Sequence, residues 1–138
     1  MSVILDNELL QTIGLIEKAT QATIEKCIPR DDKLVLIVER GDARKIVGPD
    51  GATLKRLEEK LGKRLKIIEK SADKFQFVKN AMLPLKVETI HEENNIIIVH
   101  GNDEKTRGLM IGAKARNLRF TESIVQQYFP DVIEIKVV

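Results

Sequence analysis

The residues best suited to chemistry are two glycine-led tetrads, Gly48-Pro49-Asp50-Gly51 and Gly112-Ala113-Lys114-Ala115, set 64 residues apart. Each falls between a short and a longer stretch of helical periodicity. A tight turn at such a place brings the amino end of the second helix, with its unpaired N–H groups, to the surface. Glycine has no Cβ, so a phosphodiester backbone can approach the main chain closely. Arg44, Lys45 and Lys55 flank the first tetrad, and Arg116 and Arg119 follow the second. Their attraction to phosphate would weaken with salt. Ile46, Val47 and Leu54 are candidates for an apolar groove beside the first turn, able to hold unstacked bases. A lone Gly-x-x-Gly is often only a helix–helix turn. Two breaks at matching places in a repeated unit carry more weight.

The elements that must position these turns occur twice in the same order. Residues 6–20 read as a helix, with Leu9, Leu10, Ile13 and Ile16 on one face and Asp6 or Asn7 as the cap. Strands over 22–29 and 33–40 follow, joined at Arg30-Asp31-Asp32, and the run Leu34 to Val38 predicts burial on both faces. A short helix over 42–47 reaches the first tetrad. A second, over 52–62, places Leu54, Leu57 and Leu61 on one stripe and stops at Gly62. A strand over 65–69 closes the unit. In the second half, Asp73 caps a helix to about Met82, with Phe75, Val78 and Met82 as its apolar residues and Pro84 beyond. Residues 85–91 and 95–100 predict a hairpin turning at Glu92-Glu93-Asn94. Helices over 103–111 and 116–129 flank the second tetrad, and 132–137 alternates as a final strand. Phe120, Ile124 and Tyr128 share a helix face, which fits core packing as well as base stacking.

The expectation is an α+β chain of two units, each ordered α-β-β-α-α-β. Only Glu69 to Ala72 lies between them, with no Gly/Ser or Pro-rich tract, which predicts a fixed pair rather than a flexible string.

Composition narrows the function classes. The 138 residues include 23 Lys plus Arg against 21 Asp plus Glu, for a net charge of +2. At 43% hydrophobic and 4% aromatic, without Trp, the chain can build a packed core only from aliphatic residues. The positive charge is local. Residues 43–66 carry +5 and residues 103–119 carry +3, leaving −6 elsewhere, a pattern that suits a polyanion site. Glu58 and Glu59 beside Lys55, Arg56 and Lys63 read as i, i+4 helix pairing rather than paired catalytic carboxylates.

Apolar runs such as Ile96 to Val99 are too short to cross a bilayer, and Met1 to Asp6 lacks the basic and apolar parts of a signal peptide. The single cysteine, Cys27, can form no internal disulfide and reads as a small packed residue. His91 and His100 have no partners at metal-ligand spacing. There is no P-loop, dinucleotide fingerprint or nucleophile elbow. The expectation is a cytoplasmic monomer that is not an enzyme, with no cofactor, no metal and no membrane association.

Ile46-Val47-Gly48-Pro49-Asp50-Gly51-Ala52, followed by a helix, resembles the KH domain in its bacterial-type, or type II, order. Phe77 to Val87 and Leu109 to Leu118 resemble the paired KH domains of the NusA-like transcription elongation and termination factors. The resemblance covers nearly the whole chain. It matches the short archaeal form, without an RNA-polymerase-binding N-terminal domain or an OB-fold domain. It implies two tandem KH domains, 1–70 and 71–138, packed as a rigid pair. It also implies a single-stranded RNA-binding role in transcription termination or antitermination, with RNA polymerase or the transcription complex as a further partner.

Carried over by position, Gly48, Pro49, Asp50 and Gly51 form one RNA-backbone clamp, and Gly112, Ala113, Lys114 and Ala115 the other. This sequence departs from the family pattern in both. A basic residue usually follows the first glycine, whereas here Pro49 stiffens the turn and Asp50 opposes phosphate. The second loop stands where the family has Ile-Gly-Lys-x-Gly-x-Asn-x; Ala115 replaces its closing glycine, and Lys114 restores a positive charge. The alternative is a KH-fold protein-interaction module that docks on RNA polymerase or a ribosomal particle, to which the −6 remainder would offer an acidic back face.

Overall fold

The spacing of apolar residues sets the first helix. A computed structural model, which describes residues 7–138, places α1 at Asn7–Thr20. The readings that rest on Met1 to Asp6, including Asp6 as a cap, lie outside the described residues. Leu9 and Ile16 are buried and Ile13 is half-buried, but Leu10 is 49% exposed. Leu9, Ile13 and Ile16 fall at i, i+4 and i+7, whereas Leu10 sits about 100° round the helix from Leu9.

Strand β1 (Ile24–Arg30) runs antiparallel to β2 (Lys33–Val38), and β3 (Arg64–Glu69) runs parallel to β2, giving the order β1-β2-β3. Leu34 to Val38 are all at most 3% exposed, as an unbroken apolar run in a central strand requires. A β2-to-β3 connection that keeps the strands parallel must cross over the sheet. That crossing is α2 (Ala43–Val47), a 3-10 turn (Pro49–Gly51) and α3 (Ala52–Leu61). Gly62 ends α3 in the left-handed region (φ 67), its N–H bonded to the Glu58 carbonyl, so the expected glycine stop is present. Leu9, Ile16, Leu34, Leu36, Val38, Ile46, Leu57 and Leu65 form the core, with Leu54 and Leu61 packed beside it. Each such side chain contributes about 1.5–3 kcal/mol when fully buried.

The division into two compact units falls between Lys70 and Ser71. The second unit repeats the order as α4 (Lys74–Met82), β4 (Val87–Glu93), β5 (Ile96–Gly101), α5 (Glu104–Ile111), a 3-10 turn (Ala113–Ala115), α6 (Arg116–Tyr128) and β6 (Glu134–Val137). Its sheet runs β4-β5-β6, again antiparallel then parallel. The α+β class with two three-stranded sheets is therefore present, and it is consistent with KH-like units.

Several local expectations shift. Asp73 does cap α4, accepting from the Phe75 and Gln76 amides. Phe77, however, is the aromatic buried beneath it, at 1% exposure, while Phe75 is half-buried. The Phe77 ring lies edge-on to Tyr128 at 5.1 Å and 5.9 Å from Phe129. The hairpin turns at Asn94-Asn95, with φ of 53° and 64°, rather than at Glu92-Glu93-Asn94. A two-residue hairpin turn twisted to match its strands needs positive φ at both centres, which asparagine accepts and glutamate resists. His91 and His100, which sequence spacing left unconnected, stack across β4 and β5 at 5.5 Å.

Each unit also contains a glutamate that ties its last strand to its long helix. Glu58 Oε2 accepts the Leu65 N–H at 2.9 Å, and Glu122 Oε2 accepts the Ile135 N–H at 2.8 Å. The Glu58 carboxylate thus serves a strand, not the expected pairing along its own helix. No helix among the described residues is long and apolar enough to cross a membrane. No group of three or more metal-ligating side chains occurs among them.

Removing either glutamate strands a partly buried amide, so Glu58→Ala and Glu122→Ala should each cost roughly 1–3 kcal/mol. The loss is read as a lower denaturant midpoint. Exposed Glu59→Ala should stay within about 0.5 kcal/mol.

Candidate nucleic-acid interface

The first loop begins where α2 must end. Gly48 has φ 73° and ψ 179°, a combination open to glycine alone. A Cβ there would also collide with the Thr53 side chain. Asp50 and Gly51 follow in the left-handed region, at φ 52° and 74°. The Gly48 N–H bonds the Arg44 carbonyl at 2.9 Å, and the Gly51 N–H bonds the Gly48 carbonyl at 3.2 Å. No side chain caps α3, and nothing lies within 4 Å of the position a Gly51 Cβ would take. The result is bare main chain at a helix amino end, the geometry that a phosphate can approach.

The second loop has the same backbone. Gly112 has φ 75° and ψ 172°, Lys114 φ 54°, and Ala115 φ 59°. The Gly112 N–H bonds the Gly108 carbonyl at 2.9 Å, and the Ala115 N–H bonds the Gly112 carbonyl at 3.1 Å. Asn117 stands where Thr53 does in the first unit: a Cβ on Gly112 would sit 2.7 Å from its amide. Its Nδ2 donates to the Leu109 carbonyl at 3.1 Å, tying α6 to the end of α5. The alanine replacing the closing glycine therefore leaves the loop's shape intact, although a left-handed alanine costs about 1–2 kcal/mol.

No protein-family model matches the chain. Curated relatives do. The chain is 30% identical over 138 residues to the probable transcription termination protein NusA of Halococcus morrhuae, covering 99% of both chains. It belongs to the NusA family of transcription termination proteins. The probable NusA of Methanococcus vannielii is 31% identical over 121 residues, covering 86% of this chain and 70% of that one. That of Methanocaldococcus jannaschii is 29% identical over 137 residues, covering 97% and 74%. Among solved structures, the crystal structure of APE1850 shares the fold with a TM-score of 0.68 at 26% identity, covering 97% of this chain and all of that one.

Around the two loops, Arg44, Lys45, Lys55, Lys114, Arg116 and Arg119 are all exposed. Lys45 is held by Asp42 at 2.9 Å, and Arg119 by Glu122 at 2.6 Å and Glu134 at 3.8 Å. Ile46 is fully buried and belongs to the core, so the expected apolar groove has only Val47 and Leu54 to draw on, both half-buried. Tyr128 packs on Phe77, and Phe120 is half-buried. Cys27 is buried, which pushes its thiol up to about 11, as an unreactive packed residue should be.

Sequence reading missed Thr53 and Asn117, the residues that crowd the first glycine of each loop. The signal was available: each follows its glycine by five residues.

Ala115→Gly should raise stability by about 1 kcal/mol, and Gly48→Ala should lower it by about 1–3 kcal/mol, both read by denaturant unfolding. A second test is pH. The Thr23 N–H, then Lys45, hold the Asp42 carboxyl below its ordinary range, and the Thr106 N–H does the same for Asp103. With folded values below the unfolded value of about 3.9, these carboxylates stabilise the protein above that pH. The contribution is lost as pH falls through the folded value. Asp42→Asn should therefore be less stable than wild type at pH 7, the gap closing as the medium is acidified below about pH 4.

Proposed function

We propose that the chain is a single-stranded RNA-binding factor acting in transcription termination or antitermination, as a cytoplasmic monomer associated with the transcription complex. Residues 1–70 and 71–138 act as tandem KH domains forming a rigid pair. Gly48, Pro49, Asp50 and Gly51 in one, and Gly112, Ala113, Lys114 and Ala115 in the other, clamp successive stretches of one RNA backbone. Arg44, Lys45, Lys55, Arg116 and Arg119 add charge attraction, Lys45 and Arg119 less because carboxylates already hold them.

The observation that carries this reading is the identity of the two loop backbones despite their different residues. A left-handed Lys114 and Ala115 cost stability, and such strain is retained where a shape is required. The loops differ in charge, Asp50 against Lys114, so the second grips phosphate more strongly.

Fluorescence anisotropy with short single-stranded RNAs across a salt series tests the proposal. Gly51→Asp and Ala115→Asp suit it because aspartate accepts the left-handed region, and circular dichroism confirms that the variants fold. Wild type should bind with a linear log–log salt dependence that both substitutions weaken. Asp50→Lys should steepen the slope by about 0.7, and Lys114→Ala should flatten it by the same amount. Absence of binding even at low salt overturns RNA binding and leaves docking on RNA polymerase or a ribosomal particle as the reading to pursue.

A further inference from the structure

Helix α4 buries Phe77, Val78, Ala81 and Met82, which leaves Gln76, Lys79, Asn80 and Leu83 along its other side at i, i+3, i+4 and i+7. Leu83 and Pro84 end the helix, and the Leu85 N–H turns back to the Met82 carbonyl at 2.9 Å. That turn folds the chain beside the helix end, around a concavity of about 280 Å³ built wholly from the second unit. Its apolar lining is Leu83, Pro84, Leu85 and Val87, with Leu83 57% exposed. Its polar lining is Gln76, Lys79, Asn80 and Lys86.

No carboxylate lines this concavity, and Glu88, the next acid along the chain, lies outside it. Lys74, on the same helix, is held by Glu92 at 3.0 Å and Asp131 at 2.8 Å. Lys79 and Lys86 make no ion pair among the described residues. Two uncompensated cations beside aliphatic surface suit an occupant that carries acidic and apolar groups together. Unstacked bases are gripped on aromatic or guanidinium planes, and this lining has neither. An aliphatic side chain of a peptide has the matching chemistry.

We propose that this concavity docks an acidic segment of a partner protein, with one aliphatic side chain seated among Leu83, Pro84, Leu85 and Val87. Lys79 and Lys86 meet carboxylates that flank that anchor. Gln76 Nε2 donates to Asn80 Oδ1 at 2.9 Å, which leaves Gln76 Oε1 to accept a main-chain N–H of the segment. The site is separate in sequence from both glycine loops and does not rest on the RNA-binding reading above.

Backbone amide NMR of the full chain tests the site with a synthetic peptide of one leucine flanked by two glutamates on each side, capped at both ends. Two control peptides replace the leucine by alanine, or the glutamates by lysines. The amides of residues 76–87 should shift saturably with the leucine peptide, more weakly with the alanine control, and not with the lysine control. Lys79→Gln/Lys86→Gln should weaken the response about tenfold. Lys79→Arg/Lys86→Arg, which keeps the charge, should retain it, and circular dichroism checks that both variants fold.

No saturable shift with the leucine peptide, or one that the double glutamine variant leaves unchanged, overturns the site. So does an equal response to the alanine control, which reduces the contact to charge attraction alone. A short oligouridylate is titrated separately. Amides of 76–87 that answer to it and not to the peptide overturn protein docking and make the concavity an RNA contact. Loop amides silent to oligouridylate while 76–87 answer to the peptide would overturn the RNA reading and leave this site standing.

Discussion

Each unit depends on reversing the chain between two helices within four residues, without leaving the surface of the sheet that those helices cover. Only a backbone with positive φ makes that reversal, and the cost of reaching it shapes the neighbouring sequence. Gly48 and Gly112 take the position where a Cβ would strike Thr53 or Asn117. Past Pro49 and Ala113, the chain takes two left-handed residues in each unit, Asp50-Gly51 and Lys114-Ala115, whatever side chains they carry. The long helix then starts with its amide groups uncapped by any side chain. The parallel pairing of the last strand with the central one requires that this helix carry the chain back across the sheet.

What holds the launched helix in place is apolar at one end and polar at the other. Leu57 in the first unit, and Leu118 and Ile124 in the second, are buried. The Glu58 and Glu122 carboxylates each fix an amide of the closing strand. With helix and strand locked, the loop presents main chain and a few cations in a fixed geometry, so less ordering is needed when a ligand arrives. The near-zero net charge of the protein is compatible with a polyanion partner because the charge is unevenly placed: cations collect beside the loops, and acids such as Asp42, Glu122 and Glu134 hold Lys45 and Arg119 in structural roles.

The sequence made the periodic and conformational features legible, because each has a local cause. The doubly buried run Leu34 to Val38, the stop at Gly62 and the cap at Asp73 could all be read from residue type and spacing alone. Features set by the partner surface could not. Leu10 looks as apolar as Leu9 but lies off the stripe, and Phe75 and Phe77 are distinguished only by which one meets Tyr128 and Phe129. The hairpin turn moved to Asn94-Asn95 because backbone twist outweighed the acidic pair beside it. At the loops, the two tetrads were visible, whereas the equivalence of their backbones was not, since Ala115 gives no sign that it will adopt a glycine conformation. Glu58 and Glu122 were readable in principle: each follows the first loop glycine by ten residues, a match that appears only when the halves are aligned.

The central claim is that two loops of different sequence and one shape grip a single strand of RNA. Photo-cross-linking of a short single-stranded RNA to the intact chain, with the cross-linked peptides mapped by mass spectrometry, addresses it most directly. Cross-links in both 46–55 and 110–119, lost together at high salt, are the expected result. Cross-links confined to one loop, or falling wholly outside both, would contradict it.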